Sequence, residues 1–405
     1  MEILLYLFII LIISSIPISI HFLKKPNNSS SMKDLYAEGL DMLVIGKRKS
    51  AYKIFKKIIQ HDSNNVKAYL HLGQVVREGG NPKKALEIHQ NLLHRKNLNN
   101  YDKIQLYKNI ALDYLKLNNI DKSIEYSSKI LQIDKVDEWA MNQIIELYKL
   151  NEDWENATEY LKILFKTKNN MDNKRLALYK IQIGRVLLKN NKFDEAKKIF
   201  EDSLDVYPDL YICYYFLGKV FANESNFIYD KAIALESNAN GSLNDNNDSQ
   251  QLKVEAEKIL SKSIPMWGHF IENMPEYSWM ILPTLKDALQ ALHRYDDIEK
   301  MLINTKNKNQ DNIDILAHLA DFYANKGEVD KALTTINNAI EKNKYSLIGR
   351  LKRLKINLLK NKENTISVEI DKLINSLLND ERYIQYKQSY NDKDMKWLFD
   401  LYNIK

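Results

Sequence analysis

The chain has little of three residue types that shape most small folds: one cysteine, eleven glycines and seven prolines in 405 residues. A single thiol, Cys213, excludes an internal disulfide framework and any multi-cysteine zinc site, so nothing points to an oxidising compartment. Cys213 sits in the apolar stretch Tyr211-Ile-Cys-Tyr-Tyr-Phe-Leu217, where it reads as a small buried hydrophobe. Few glycines and prolines, with Leu, Ile, Lys, Asn, Glu and Tyr dominant, suit long helices joined by short turns and leave strands hard to find. Charge of one sign is also missing. Lys+Arg (59) and Asp+Glu (53) are interspersed, and the net +6 is that of a solvated helical surface rather than of a nucleic-acid interface.

The catalytic motifs are absent too. There is no Gly-x-Ser-x-Gly elbow, no His-Glu-x-x-His and no Walker loop; Gly46-Lys-Arg-Lys-Ser50 lacks the upstream glycine that would cradle phosphate. His89 and His94 are five apart and do not share a helix face as metal ligands would. Trp267, His269 and Trp279 are a weak basis for an enzyme pocket in the region 255–300. No enzyme, metal or cofactor is expected.

One long hydrophobic run is present. Ile3 to Leu23 is a nearly unbroken apolar stretch of 21 residues, enough to cross a hydrocarbon core at about 1.5 Å per residue. Glu2 precedes it, and Lys24, Lys25 and Lys33 follow it. A cleaved signal peptide needs the opposite order of charge, so the expectation is an uncleaved single-pass anchor over 1–25, with everything downstream in the cytoplasm. Residues 26–32 read as a polar tether.

Periodicity organises the rest. Gly39 and Gly73, Ala51 and Ala85, and Gly184 and Gly218 are each 34 apart, the length of a tetratricopeptide helix-turn-helix. Within a unit a small residue is followed twelve positions later by another: Gly39 and Ala51, Gly73 and Ala85, Ala111 and Ser123, Gly184 and Ala196, Ala320 and Ala332. Turn formers such as Gly79-Gly80-Asn81-Pro82 and Asn190-Asn-Lys-Phe193 separate the two helices. The expected fold is therefore all-α: an N-terminal transmembrane helix, then a tetratricopeptide-repeat α-solenoid of about eight units over 33–344. A low-complexity insertion at 236–252 is expected to be a mobile loop within the sixth unit. Residues 345–405 hold C-terminal helices.

A repeat stack offers a concave groove lined by its first helices. Counting from the glycine and alanine anchors, its candidate residues are Lys67, Gln74, Arg77, Lys108, Arg185 and Lys219. They form either a basic groove for an acidic or carboxylate-bearing peptide, or an ordinary solvated face.

Tyr36-Ala-Glu-Gly39-Leu, Leu72-Gly-Gln-Val-Val-Arg77-Glu-Gly79 and Ala85-Leu-Glu-Ile-His89-Gln90-Asn-Leu-Leu93, behind an apolar anchor with Glu2, resemble the lipopolysaccharide assembly protein B family. The resemblance covers the anchor and the first five repeats and fades after about residue 222. It implies an inner-membrane adaptor whose cytoplasmic repeats help a membrane AAA+ protease degrade the deacetylase of the committed step of lipid A synthesis. It also implies contacts with other envelope proteins. The family ends in a rubredoxin-like hairpin with two cysteine pairs, which this chain lacks. Gln385, Gln388, Phe399 and Tyr402 fall at that cysteine spacing, so 382–405 is either a metal-free vestige of the hairpin or a plain helical or disordered tail. The alternative function is a general scaffold or assembly chaperone for another membrane complex.

Overall fold

The computed structural model describes residues 32–95, 98–238, 243–308, 312–360, 370, 372–373 and 402. The expected anchor, most of the tether and the tail hairpin except Tyr402 lie outside the described residues. Among the described residues there is no strand, and no helix is long and apolar enough to cross a membrane.

The helices come in pairs: α1 (Met32–Val44) with α2 (Arg48–His61), α3 (Val66–Glu78) with α4 (Pro82–Leu93), α5 (Asn100–Lys116) with α6 (Ile120–Ile133), and α7 (Glu138–Leu150) with α8 (Trp154–Thr167). Then follow α9 (Asn173–Lys189) with α10 (Phe193–Val206), α11 (Ile212–Asn238) with α12 (Leu243–Asn273), α13 (Leu282–Ala291) with α14 (Tyr295–Lys308), and α15 (Ile313–Asn325) with α16 (Val329–Lys342). A 3₁₀ turn at Pro275–Met280 precedes α13, and α17 (Leu347–Leu359) follows the last pair. The chain divides into two compact units between Gln143 and Ile144, inside α7.

Three pairs are locked where a glycine of the first helix meets a ring of the second. A Cβ on Gly39 would lie 2.9 Å from Phe55, one on Gly73 2.2 Å from His89, and one on Gly184 2.5 Å from Phe200. Each ring lies sixteen residues after its glycine. The alanines expected to receive this packing, Ala51, Ala85, Ala196 and Ala332, are wholly buried. Ser123 is buried too, and its hydroxyl donates to the Ala111 carbonyl at 2.8 Å.

The turns inside the pairs share one conformation. Gly46, Gly80, Asn118, Glu152, Asn191, His293 and Gly327 all have positive φ. A left-handed residue lets the chain reverse while the following amide bonds back to the helix end, as Asn81 N–H does to Val76 O and Glu328 N–H to Tyr323 O. Glycine and asparagine accept this conformation readily, whereas Glu152 and His293 adopt it against the usual preference of their side chains. Three second helices are then opened by Asn or Asp caps: Asn81 accepts from Lys84 N–H, Asn119 from Lys122 N–H and Asp153 from Asn156 N–H.

The sixth pair departs from expectation. Of the stretch expected to be a loop, 236–238 and 243–252 are helical: α11 and α12 run 27 and 31 residues, nearly twice their counterparts, and 239–242 lie outside the described residues. Buried Ser249 donates to Ala232 O at 3.1 Å and to Glu236 at 2.9 Å, and Lys253 pairs with Glu236 at 2.6 Å. Local polarity suggested a loop because the Asn, Asp and Ser residues have low helix propensity; pairing of the two helix extensions overrides it. Gly218 here meets Trp267, whose indole N–H donates to Tyr215 O at 3.2 Å. The ring now lies 49 residues after its glycine instead of sixteen.

These contacts set a contrast between two glycines. Gly73→Ala should destabilise unit 1 by about 1–3 kcal/mol through overpacking on His89. Gly268→Ala, where a Cβ meets nothing within 4 Å, should stabilise by about 0.5–1 kcal/mol through helix propensity. Urea unfolding of both variants checks the pair; equal effects would mean that close approach is not what selects glycine at Gly73.

Candidate functional site

The first helices of successive pairs pack side by side, α3 with α5, α9 with α11 and α15 with α17. Their outer faces are the place to look for a binding surface. In unit 1, Lys67 is exposed and Gln74 is half-buried. The Gln74 amide donates to Glu78 at 2.9 Å and its oxygen lies 3.3 Å from His71 Nδ1. Lys108 is held by Asp137 at 3.0 Å and lies over the Trp139 ring. In unit 2, Arg185 donates to Gln182 at 3.1 Å with its guanidinium over Phe216, and Lys219 lies over Tyr215. The candidates thus fall on two separate units, four on the first and two on the second.

Arg77 is the correction. Its side chain is buried, and one guanidinium nitrogen donates to Asp113 at 2.9 Å and to the carbonyl and side chain of Asn109. The other Asp113 oxygen lies 2.5 Å from His89 Nδ1, while His89 Nε2 reaches Leu70 O at 3.1 Å. Asp113 and His89 are fully buried. Counting from the glycine anchor put Arg77 among the groove candidates, but Asn109 and Asp113 of α5 cover its guanidinium and the charge is consumed inside. Removing one partner of so buried a set costs roughly 3–5 kcal/mol, because it strands the others. Arg77, His89 and Asp113 hold the second and third pairs together and are not available to a ligand.

A further charge cluster is one the sequence reading missed. Asp321 on α15, with its side chain 1% exposed, is met by Lys286 of α13 at 3.2 Å and by Lys352 and Lys355 of α17 at 2.9 and 2.7 Å. Three ammonium groups on one carboxylate leave an excess of two positive charges over adjoining first helices. Burial alone would raise the Asp321 pKa. Hydrogen bonds from Lys355 and Lys352, with the charges of Lys352 and Lys286, overcome this and hold it well below the usual carboxylate range. One turn back, His318 is buried and neither ring nitrogen finds a protein partner. Burial first, then Lys352 nearby, lowers its pKa from 6.5 to about 4. The cluster can attract an anionic group, and His318 offers unused hydrogen-bonding capacity beside it. Its lysines come from helices 30 to 70 residues apart in sequence, so no spacing rule could have assembled it.

Other sequence candidates turn out to be structural. Trp267 is wholly buried core. Cys213 is buried, and burial pushes its thiol up, away from reactivity. Among the described residues no three His, Cys, Asp or Glu side chains are placed to hold a metal ion. Of the tail positions, Gln385, Gln388 and Phe399 lie outside the described residues. The Tyr402 hydroxyl accepts from Ile212 N–H at 3.1 Å and lies 3.8 Å from Met274 Sδ, with Lys174 bonded to its carbonyl.

Residues 178–210, spanning most of α9 and all of α10, match the tetratricopeptide repeat model. The chain is similar to lipopolysaccharide assembly protein B of Escherichia coli (strain K12), 19% identical over 209 residues covering 52% of this chain and 53% of that protein. It is also similar to the protein of that name from Haemophilus influenzae, 21% identical over 283 residues, 68% of this chain and 63% of that one. The resemblance is therefore established by sequence, and the chain spans about half the length of the E. coli relative it matches. Among solved structures, a tetratricopeptide repeat protein from Parabacteroides merdae is 13% identical with a TM-score of 0.33, covering 82% of this chain and 100% of that one. Pseudomonas aeruginosa pilF is 18% identical with a TM-score of 0.33, covering 45% and 78%.

The pKa shift of His318 has a signed consequence for stability. The unfolded chain takes up a proton near 6.5 and the folded chain only near 4, so stability is complete above pH 6.5 and declines as pH falls to about 4. The full cost is roughly 3 kcal/mol. The Asp321 contribution, from a depressed carboxylate, is lost only at lower pH, below its ordinary 3.8. In thermal melts the native chain should lose stability relative to His318→Leu as pH falls from 6.5 to about 4, the gap shifting by roughly 3 kcal/mol in favour of the variant; parallel profiles would show that His318 is not held neutral.

Proposed function

We propose that this chain is a non-enzymatic adaptor in lipopolysaccharide synthesis. In this reading the N-terminal apolar run fixes it in the inner membrane and the cytoplasmic repeats grip proteins. The observation that carries the reading is the sequence similarity to lipopolysaccharide assembly protein B from two organisms. The helix-pair architecture supports it physically, since a stack of short helices presents side chains from many sequence positions to one partner and holds no enclosed reaction chamber. Tethering to a membrane raises the local concentration of membrane-bound partners without any new contact.

The finer proposal is that the repeats promote degradation of the committed-step lipid A deacetylase by a membrane AAA+ protease. Lys67, Gln74, Lys108, Arg185 and Lys219 remain the candidate partner contacts, joined by Lys286, Lys352 and Lys355 beside Asp321. The second reading, a scaffold for an unrelated membrane complex, draws on the partial coverage of the relatives and on the lack of cysteine after Cys213.

Depletion of the protein should raise the deacetylase and lipopolysaccharide together. Detergent-solubilised native chain should recover the protease or deacetylase from its own membranes, and Lys67→Glu/Arg185→Glu should recover severalfold less. These variants replace accessible groups, whereas reversing Arg77 would unfold unit 1. Unchanged deacetylase after depletion, with an unrelated complex in the pull-down, would establish the second reading instead.

A further inference from the structure

The first helix pair carries a surface that partner recognition by the first helices leaves unexplained. At the α1–α2 turn, Val44 is 83% exposed and Ile45 57% exposed. Gly46, with φ of +76°, turns the chain into Lys47, Arg48 and Lys49. Apolar side chains at the tip of a repeat turn lose the burial that would favour them, and each such position could hold a polar residue at no cost to the fold.

Beside this tip lies a shallow depression of about 630 Å³. Arg48, Lys49, Tyr52, Lys53 and Lys56 line it from α2, and Lys84 closes it from α4. The α2 residues recur at helical spacing on a flank adjoining the buried Ala51, Phe55 and Ile58. The α3–α4 turn contributes Gly79 and Asn81, so two successive turns share this edge. No carboxylate lines the depression, and of its five cations only Arg48 reaches one among the described residues, Glu78 at 3.8 Å.

We propose that this edge, the Val44-Ile45 tip with the basic depression behind it, docks on the anionic phospholipid surface of the membrane that anchors the chain. The inference rests on the anchoring reading of the N-terminal run. Apolar side chains flanked by lysines are what an interfacial surface needs: the apolar tip enters the headgroup region while the ammonium groups meet lipid phosphates. An acidic protein segment would satisfy the lysines but would leave Val44 and Ile45 without a role. Reach is sufficient. Eight residues separate Leu23 from Met32 and span up to about 28 Å when extended, whereas the 13 residues of α1 rise only about 20 Å. The turn at the far end of α1 can therefore lie back on the surface. Docking there would fix the first repeat against the bilayer and so orient the repeats that follow in unit 1.

The test uses the full chain with Val44→Cys carrying a nitroxide, since buried Cys213 will not compete for the label. Reconstituted into vesicles containing phosphatidylglycerol, the nitroxide should collide more with oxygen, which partitions into lipid, than with a water-soluble nickel complex. In phosphatidylcholine vesicles, or with Lys53→Glu/Lys56→Glu/Lys84→Glu in the same labelled chain, the preference should reverse. Those lysines are exposed, and circular dichroism confirms that the variant is folded. A label that stays water-accessible in both vesicle types overturns the proposal, as does one that enters lipid regardless of the charge reversals. Flotation with the vesicles reports separately on the anchor: a chain that does not float defeats the anchoring reading, and one that floats with a water-exposed label defeats the docking face alone.

Discussion

Close approach of two helices at a residue without a side chain is the constraint from which the rest of this structure follows. At Gly39, Gly73 and Gly184 the partner ring occupies the volume a Cβ would need. Helices brought that near must run antiparallel through a short turn, which requires a left-handed residue at the reversal. The same approach buries the alanine of the second helix and leaves the next pair to cover what remains. Each pair is incomplete alone, so stability is cooperative between neighbours and not held in one central core.

Polar groups caught inside such a stack must be satisfied by it. His89 fills the space left by Gly73, and its ring nitrogens are placed by Asp113 and Leu70 O; Asp113 in turn holds Arg77. The glycine, the histidine, the aspartate and the arginine form one packing solution linking two pairs. Asp321 is the contrasting case. Its three lysines are partly exposed, so the charge balance stays in contact with solvent and with whatever binds there. One cluster closes a joint, and the other leaves a positive face.

The repeat architecture was legible from local chemistry. Small residues at a spacing of twelve, turn formers between them and a period of 34 report contacts within one helix pair, and such contacts have fixed sequence separations. Reading failed where a pair changed length. In α11 and α12 the polar stretch looked like a loop because helix propensity is a weak prior, and pairing of the extensions outweighs it. The ring that meets Gly218 was displaced from its usual spacing by the same extension.

Composition and pattern alone therefore determined the helical class, the pairing, the turn positions and the resemblance to lipopolysaccharide assembly protein B, because each rests on residues near one another in the chain. Which charges are spent and which are presented was decided only by tertiary structure. Arg77 and Lys352 are both basic residues of first helices, yet one is sealed by α5 and the other stands over Asp321 beside solvent. That distinction depends on what a neighbouring pair places across the face, and burial by a distant segment leaves no mark at the residue it covers.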